Sequence, residues 1–149
     1  MRHVVLKNLD PILSGTLLSA LDGMEPGQWL TFTAGAAATP NSGRDHVVID
    51  LADVSTEAAA RAILSVLPLD RGGAPIVYLD RADASDELPD VVFAVCGIAA
   101  DAELRRVPMS RLDDGDFARL ARQSELTVRS RRGEEPATFL LRKGGVVLN

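Results

Sequence analysis

A chain of 149 residues is long enough for one domain that buries about two-thirds of the surface its unfolded state exposes. Its hydrophobic content of 46% is ordinary for a soluble globular protein, and its net charge of −5 argues against a general binder of phosphate backbones, because such proteins need clustered positive charge. One cysteine, Cys96, can form neither an internal disulfide nor, alone, a structural zinc site. No apolar run reaches the roughly 18 residues of a membrane span, and the first residues lack a signal-peptide pattern, so we expect a cytoplasmic protein.

Segments with helical spacing of apolar residues alternate with β-branched segments, which is typical of an α/β domain with a substantially parallel sheet. In chain order we predict a helix from Pro11 to Met24, a strand over 29–32 that runs into the alanine-rich residues 34–38, a loop over 39–43, a buried strand over 46–51, a helix over 55–67, a strand over 75–79, a helix over 110–123, and strands over 126–130 and 139–141. Residues 85–100 fit two predictions. The run from Val91 to Val95 favours a strand, whereas the length of the segment and its Ser85-Asp86-Glu87 opening favour a helix. We expect one domain over residues 1–149.

Two stretches at the ends of this pattern resemble a known family. The first is LKNLDPILS over residues 6–14, followed by LDGM over 21–24, and the second is FLLRKG over 139–144. Between them, VIDLA over 48–52 and LPLD over 67–70 occur in the same order and at similar spacing. Over most of its length the chain thereby resembles the D-ribose pyranase / L-fucose mutarotase family.

The resemblance implies a three-layer α/β/α fold with a central, mixed and largely parallel sheet. It also implies a small-molecule ligand such as a monosaccharide, and a ring-shaped homo-oligomer, an octamer or decamer, with sugar sites between neighbouring subunits. Given the acidic composition, with a pI near 5.0, we expect no nucleic acid and no membrane among its partners.

The positions that perform the chemistry in that family are replaced in this chain. Opening and closing a sugar ring needs one proton transfer at the anomeric hydroxyl and one at the ring oxygen, for which a histidine with a carboxylate or phenol is suited. By the resemblance, Pro26 stands in place of a histidine, Gln28 in place of the acid that follows it, and Ala34 in place of a strand-end aspartate. The family motif YGN falls on residues 136–138, where only Thr138 has a polar side chain.

Four positions are predicted to contact the ligand because they match working positions of the family: Gln28, Ala34, Asp50 and Thr138. Asp50 matches a strand aspartate, and a purely structural role for it stays open. Because Ala34 replaces an acid within an alanine-rich stretch, the resemblance implies a larger and less polar pocket, suited to a ligand less hydrophilic than a free pentose or hexose.

Three residues could supply relocated acid/base groups, each with a structural alternative. Glu25 lies one residue from the lost histidine and is either an acid/base, if it is buried, or a solvated turn carboxylate. His46 begins a strand and is either functional or an ordinary surface residue. Tyr78 ends a strand, where α/β sites often form, or is an amphipathic tyrosine of the core.

Other groups are interpreted more simply. The arginines at 129, 131 and 132 either bind an anionic ligand or balance the acids at 134 and 135, and Cys96 is expected to be a buried small hydrophobe. There is no Walker loop, no G-x-S-x-G elbow and no metal-spaced set of His, Cys and Asp, so we expect no cofactor and no metal.

Three functional hypotheses remain open. The chain keeps the family fold but binds or processes a different small ligand without ordinary mutarotase activity. Alternatively, it is an active sugar mutarotase or pyranase, an isomerase, with relocated acid/base groups. In the third hypothesis the oligomer itself is the function, structural or regulatory.

Overall fold

Ten elements build the part of the chain that the computed structural model describes, which is residues 9–35, 46–80, 88–131 and 136–145. They are α1 Gly15–Gly23, β1 Trp29–Ala34, β2 Val47–Asp50, α2 Thr56–Val66, β3 Ile76–Leu79, α3 Asp90–Glu103, β4 Met109–Leu112, α4 Asp114–Ala121, β5 Leu126–Arg129 and β6 Ala137–Arg142.

The described strands form one sheet in the order β2-β5-β1-β6-β3-β4. The pairs β2–β5, β5–β1 and β3–β4 are parallel, and β6 is antiparallel to both of its neighbours, β1 and β3. Five strands therefore run in one direction and β6 runs against them. The predicted mixed, largely parallel sheet is confirmed.

Helices lie on both faces of this sheet. On the first face, Leu30 and Phe32 of β1 pack in one apolar cluster with Leu17 of α1, Ile63 of α2 and Val92 of α3. On the second face, a smaller cluster joins α4 to the sheet through Phe117, Ala121, Trp29, Val77 and Leu140. The predicted three-layer α/β/α arrangement is confirmed.

Side chains of the helix ends and turns fix where three of the helices begin. The side chains of Ser14, Ser55 and Asp113 accept backbone N–H bonds at the starts of α1, α2 and α4, with distances of 3.2, 3.2 and 2.9 Å. Such caps each contribute about 1 kcal/mol. The first helix begins at Gly15 and not at Pro11, because the Asp10 carboxylate accepts from the Ile12 N–H and closes a turn ahead of it.

Two of the sequence predictions were wrong in their detail. The segment 110–123 is not one helix, because its first residues pair with β3 as strand β4, and Asp113 starts α4 only after them. The strand within 46–51 is not buried, because β2 lies at the edge of the sheet and leaves Val47 and Val48 about half exposed.

Most of the open segment 85–100 belongs to helix α3, and its residues 85–87 lie outside the described ranges. The strand propensity of the run at 91–95 is overridden because Val92, Val95 and Ala99, at helical spacing, bury one face of α3 against the core.

The motif at 139–144, the second stretch of the family resemblance, holds parts of the fold together. The Lys143 ammonium donates to the carbonyls of Leu21, Asp22 and Met24 and so satisfies the carboxyl end of α1, where positive charge is favourable. At Gly144, a Cβ would lie 2.7 Å from the carbonyl oxygen of Leu69, so the backbone approach requires glycine.

Candidate functional site

Four polar side chains lie side by side on neighbouring strands, near one end of those strands. The register pairs Asp50 of β2 with Arg129 of β5, Arg129 with Thr33 of β1, and Thr33 with Thr138 of β6. Residues paired directly in this way point to the same face, with about 4.8 Å between strands. We call these four residues the polar row. It lies at the carboxyl ends of the parallel strands, where ligand sites form in open α/β sheets.

Burial increases along the polar row. Asp50 is exposed, Arg129 is half-buried, and Thr33 and Thr138 are 1% and 2% exposed. Helix α4 packs on Trp29, Val77 and Leu140, and so covers the opposite end of the same sheet face. The row thus leads from solvent at the β2 edge to buried hydroxyl-bearing side chains in the middle of the sheet.

The Thr138 hydroxyl has no hydrogen-bond partner among the described residues, although its oxygen is fully buried. A buried polar group without a partner costs about 1–3 kcal/mol, so native structures seldom keep one without a reason. A ligand that offered a hydroxyl or carboxylate to this oxygen would remove that cost.

Other buried hydroxyls nearby are satisfied. The Thr31 hydroxyl donates to Ser124 Oγ at 2.8 Å, and Ser124 Oγ donates to the carbonyl of Leu126 at 2.9 Å. The predicted acid/base candidate His46 is half-buried, and its Nε2 lies 2.6 Å from the Thr127 hydroxyl, one step along the same face. This contact gives His46 a structural role in holding the start of β2.

Glu25 and Gln28 lie at the other end of β1. Glu25 is exposed, so the burial on which its acid/base role depended is missing. The Gln28 side chain accepts from the Glu25 N–H at 2.8 Å and closes the turn between α1 and β1. Since β1 spans six residues, or about 20 Å, a single chain does not bring these two residues to the polar row.

A cleft borders that end of the sheet. It has a volume of about 220 Å³ and is lined by side chains that include Ser19, Gln28, Gln123 and Glu125. Gln28, predicted to bind the ligand, therefore lines a cavity, but a different one from the region of Asp50 and Thr138.

Ala34 and Tyr78 belong to the core on the opposite face from the polar row. Ala34 is fully buried beside Ala137, and the Tyr78 ring lies 5.5 Å from that of Phe139. The Ala34 side chain packs with the apolar cluster of the first face, so a single chain does not bring it to the polar row, and its role in enlarging a ligand pocket stays a prediction.

Of the two residues that complete the row, Thr33 was not predicted, and Arg129 was interpreted only as one of three clustered arginines that either bind an anionic ligand or balance nearby acids. Thr31 and Thr33 alternate with apolar residues along β1. This alternation is the sequence signal that could have identified Thr33. Arg129 could be recognised only as part of a basic cluster, because the strand register that places it beside Thr33 is a long-range property.

Within the described residues, no group of His, Cys, Asp and Glu is arranged to hold a metal ion. In the same ranges, none of the helices has the length and apolar character needed to cross a membrane.

Comparison with known proteins shows that this chain is similar to several solved structures. No family model and no curated protein matches the sequence. The chain is similar to protein Atu2016, a candidate sugar-binding protein, with 29% identity, a TM-score of 0.85, and coverage of 96% of this chain and 97% of that one. It is also similar to the fucose mutarotase of Streptococcus pneumoniae in complex with L-fucose, with 22% identity, a TM-score of 0.77, and coverage of 95% and 100%.

A third solved structure, FucU from Bifidobacterium longum, has 21% identity, a TM-score of 0.83, and coverage of 95% of this chain and all of that one. These likenesses extend over nearly the whole chain, and the motifs at 6–14 and 139–144 lie near its two ends. The chain therefore has the fold of the D-ribose pyranase / L-fucose mutarotase family.

Proposed function

We propose that the protein binds a small polyhydroxylated ligand of the monosaccharide class at the polar row and lacks ordinary mutarotase activity. The observation that carries this proposal is the Thr138 oxygen, which is buried and has no partner among the described residues. It lies on a sheet with the fold of a mutarotase that binds L-fucose. A sugar hydroxyl is the kind of group that satisfies such an oxygen.

The loss of mutarotase activity is argued from the groups available for proton transfer. Pro26 and Pro136 have no titratable side chain, and Ala34 is buried in the apolar core. In the polar row, the two threonines are poor general bases, and the guanidinium of the arginine offers hydrogen-bond donors only. Asp50 is the one group of the row that could move a proton, so the row holds a sugar without the acid/base pair that the two proton transfers of ring isomerisation require.

The second candidate is an active mutarotase with a relocated acid/base, and Asp50 favours it. Asp50 is the carboxylate of the polar row and is open to solvent, so it could take or give a proton at a bound hydroxyl. His46, which directly precedes β2, is engaged with Thr127.

Exchange NMR separates the two candidates. The protein, at high concentration, is mixed with ribose, fucose, glucose or galactose, and the anomer exchange rate is compared with that in buffer. We expect line broadening or saturation transfer from binding, but no faster exchange. Exchange accelerated by the wild type and abolished by Asp50→Asn would establish the mutarotase instead.

We further propose a ring-shaped homo-oligomer in the cytoplasm, an octamer or a decamer. In support, the cleft at Gln28 and the polar row lie at opposite ends of β1, and both contain residues predicted to contact the ligand. One site can use both only if the row of one copy meets the cleft of another. Light scattering coupled to size exclusion measures the mass of the assembly, and a monomer would contradict this part of the proposal. If the interfacial space proves to be filled by side chains, the third hypothesis, a structural or regulatory ring, gains instead.

A further inference from the structure

We propose, resting on the proposed function, that the ligand is a sugar acid whose carboxylate binds Arg129. Arg129 is the cation of the polar row, between Asp50 on one side and Thr33 on the other. Its guanidinium can present two parallel N–H donors to a carboxylate, which is a strong and directional form of recognition.

Arg129 is half-buried and has no anionic partner among the described residues, whereas the other described arginines that form no ion pair there are exposed. Arg105, Arg111, Arg119 and Arg142 each form an ion pair within the described residues. Arg129 forms none in these ranges, although it is half-buried and Asp50 is its register neighbour. A partly desolvated cation without a partner is unfavourable, so a ligand carboxylate would bind here with little competition from the described residues.

Arg129 and Thr138 would contact different functional groups of the ligand. Two strand spacings, roughly 10 Å, separate the backbones of Arg129 and Thr138, and the long arginine side chain shortens the gap between the functional groups. A carboxylate at Arg129 and a ring hydroxyl at Thr138 can therefore belong to one molecule of monosaccharide size. The less hydrophilic ligand expected from the alanine-rich sequence is replaced by a more polar one, because Ala34 faces away from the row.

Asp50 decides between a carboxylate and a phosphate ester. Its side chain lies on the same face as Arg129, on the adjacent strand. Together Arg129 and Asp50 carry no net charge, so the pair offers little net attraction to offset the larger desolvation cost of a phosphate ester, which has close to two charges where a carboxylate has one. Asp50 can accept a hydroxyl from a sugar acid or from a sugar phosphate. The difference in ligand charge therefore selects for the monoanion.

Isothermal titration of the full chain tests the inference. The probes are D-glucuronate and D-galacturonate, their neutral counterparts D-glucose and D-galactose, and D-glucose 6-phosphate. We expect at least one uronate to bind ten or more times more tightly than its neutral sugar, and its affinity to fall as salt rises. Arg129→Gln is expected to abolish this preference, and Arg129→Lys to keep part of it, because lysine retains the charge and loses the fork.

Arg119→Gln is the matched control, since Arg119 is an exposed arginine of α4 paired with Asp116, and it should leave the preference unchanged. Circular dichroism and thermal melting establish that each variant is folded. If neutral sugars bind as tightly as uronates, the sugar-acid inference is overturned and the proposed function stands. Tighter binding of the phosphate ester, or a uronate preference that survives Arg129→Gln in a folded protein, also overturns it. If none of the probes binds, the proposed function falls with it.

Discussion

Thr138 and Thr31 are buried threonines on the same sheet face, yet they differ in what their hydroxyls contact. Thr31 donates to Ser124, whereas Thr138 has no partner among the described residues. The difference is consistent with a position kept for binding rather than for folding, because an unsatisfied hydroxyl lowers stability without any gain in the free protein. The two residues make a matched pair for mutagenesis.

Thr138→Val should raise the free energy of unfolding by about 1 kcal/mol, because valine has nearly the same shape and removes the unsatisfied oxygen. Thr31→Val should lower it by about 1 kcal/mol, because it breaks a satisfied bond. Chemical denaturation of the two variants measures both values. If Thr138→Val destabilises the protein as much as Thr31→Val does, the Thr138 hydroxyl is satisfied in solution and the argument from it fails.

Cys96 should be a slow thiol. It is partly buried against Met109, with 3.7 Å between the two sulfurs, and burial raises the pKa of its thiol. Because only the thiolate reacts, a raised pKa means less reactive species at neutral pH, and the rate profile moves to higher pH. Alkylation of the folded protein followed against pH checks this, with the urea-unfolded chain as the reference. Equal rates in the two states would contradict it.

At the scale of elements, the motif at 139–144 joins three parts of the fold. Strand β6 pairs with β1 and β3, Lys143 holds the end of α1, and Gly144 passes against the backbone at Leu69. The residues that carry the family resemblance are therefore residues that build the fold. They explain why scaffold likeness persists while the working positions have changed.

Gly144→Ala should destabilise the protein by about 2 kcal/mol or more, because the added Cβ meets the Leu69 backbone at 2.7 Å and neither partner is a flexible side-chain end. Gly145→Ala is the control, since an added Cβ there meets nothing within 4 Å. Thermal unfolding of the two variants gives the comparison. A Gly144→Ala protein as stable as the Gly145→Ala protein would show that the chain can shift at this crossing.

Sequence patterns predicted the elements whose signals are local. The start of α2 at Ser55 and the apolar spacing along that helix lie within one helix of the residues that they organise. The division of 110–123 and the exposure of β2 could not be predicted, because they depend on which strands pair. For the same reason, Thr138 could be chosen by resemblance, but its alignment with Arg129 could not.

At the scale of the whole molecule, the exposed edge strand β2 needs protection from unwanted pairing. Val47 and Val48 are 49% and 46% exposed there, which is unusual for an edge in contact with water only. This supports the proposal that the chain is part of an assembly, with β2 near a subunit contact.

Val48→Lys should therefore reduce the mass of the assembly, because a charged side chain on the edge opposes close approach of a second copy. Val66→Lys is the control, since Val66 is a partly exposed valine at the end of α2 rather than on the edge. Light scattering reports the mass of both variants. An unchanged mass for Val48→Lys would place the subunit contact elsewhere.

The position of β6 has a consequence for how the protein is made. It follows the other described strands in the chain, yet it lies between β1 and β3, and those two strands meet only through it. During synthesis, no strand pairing joins one half of the sheet, β2-β5-β1, to the other, β3-β4, until β6 leaves the ribosome. The nascent chain therefore exposes the apolar strand edges of both halves until that moment, and it is then that protection by a chaperone would matter most.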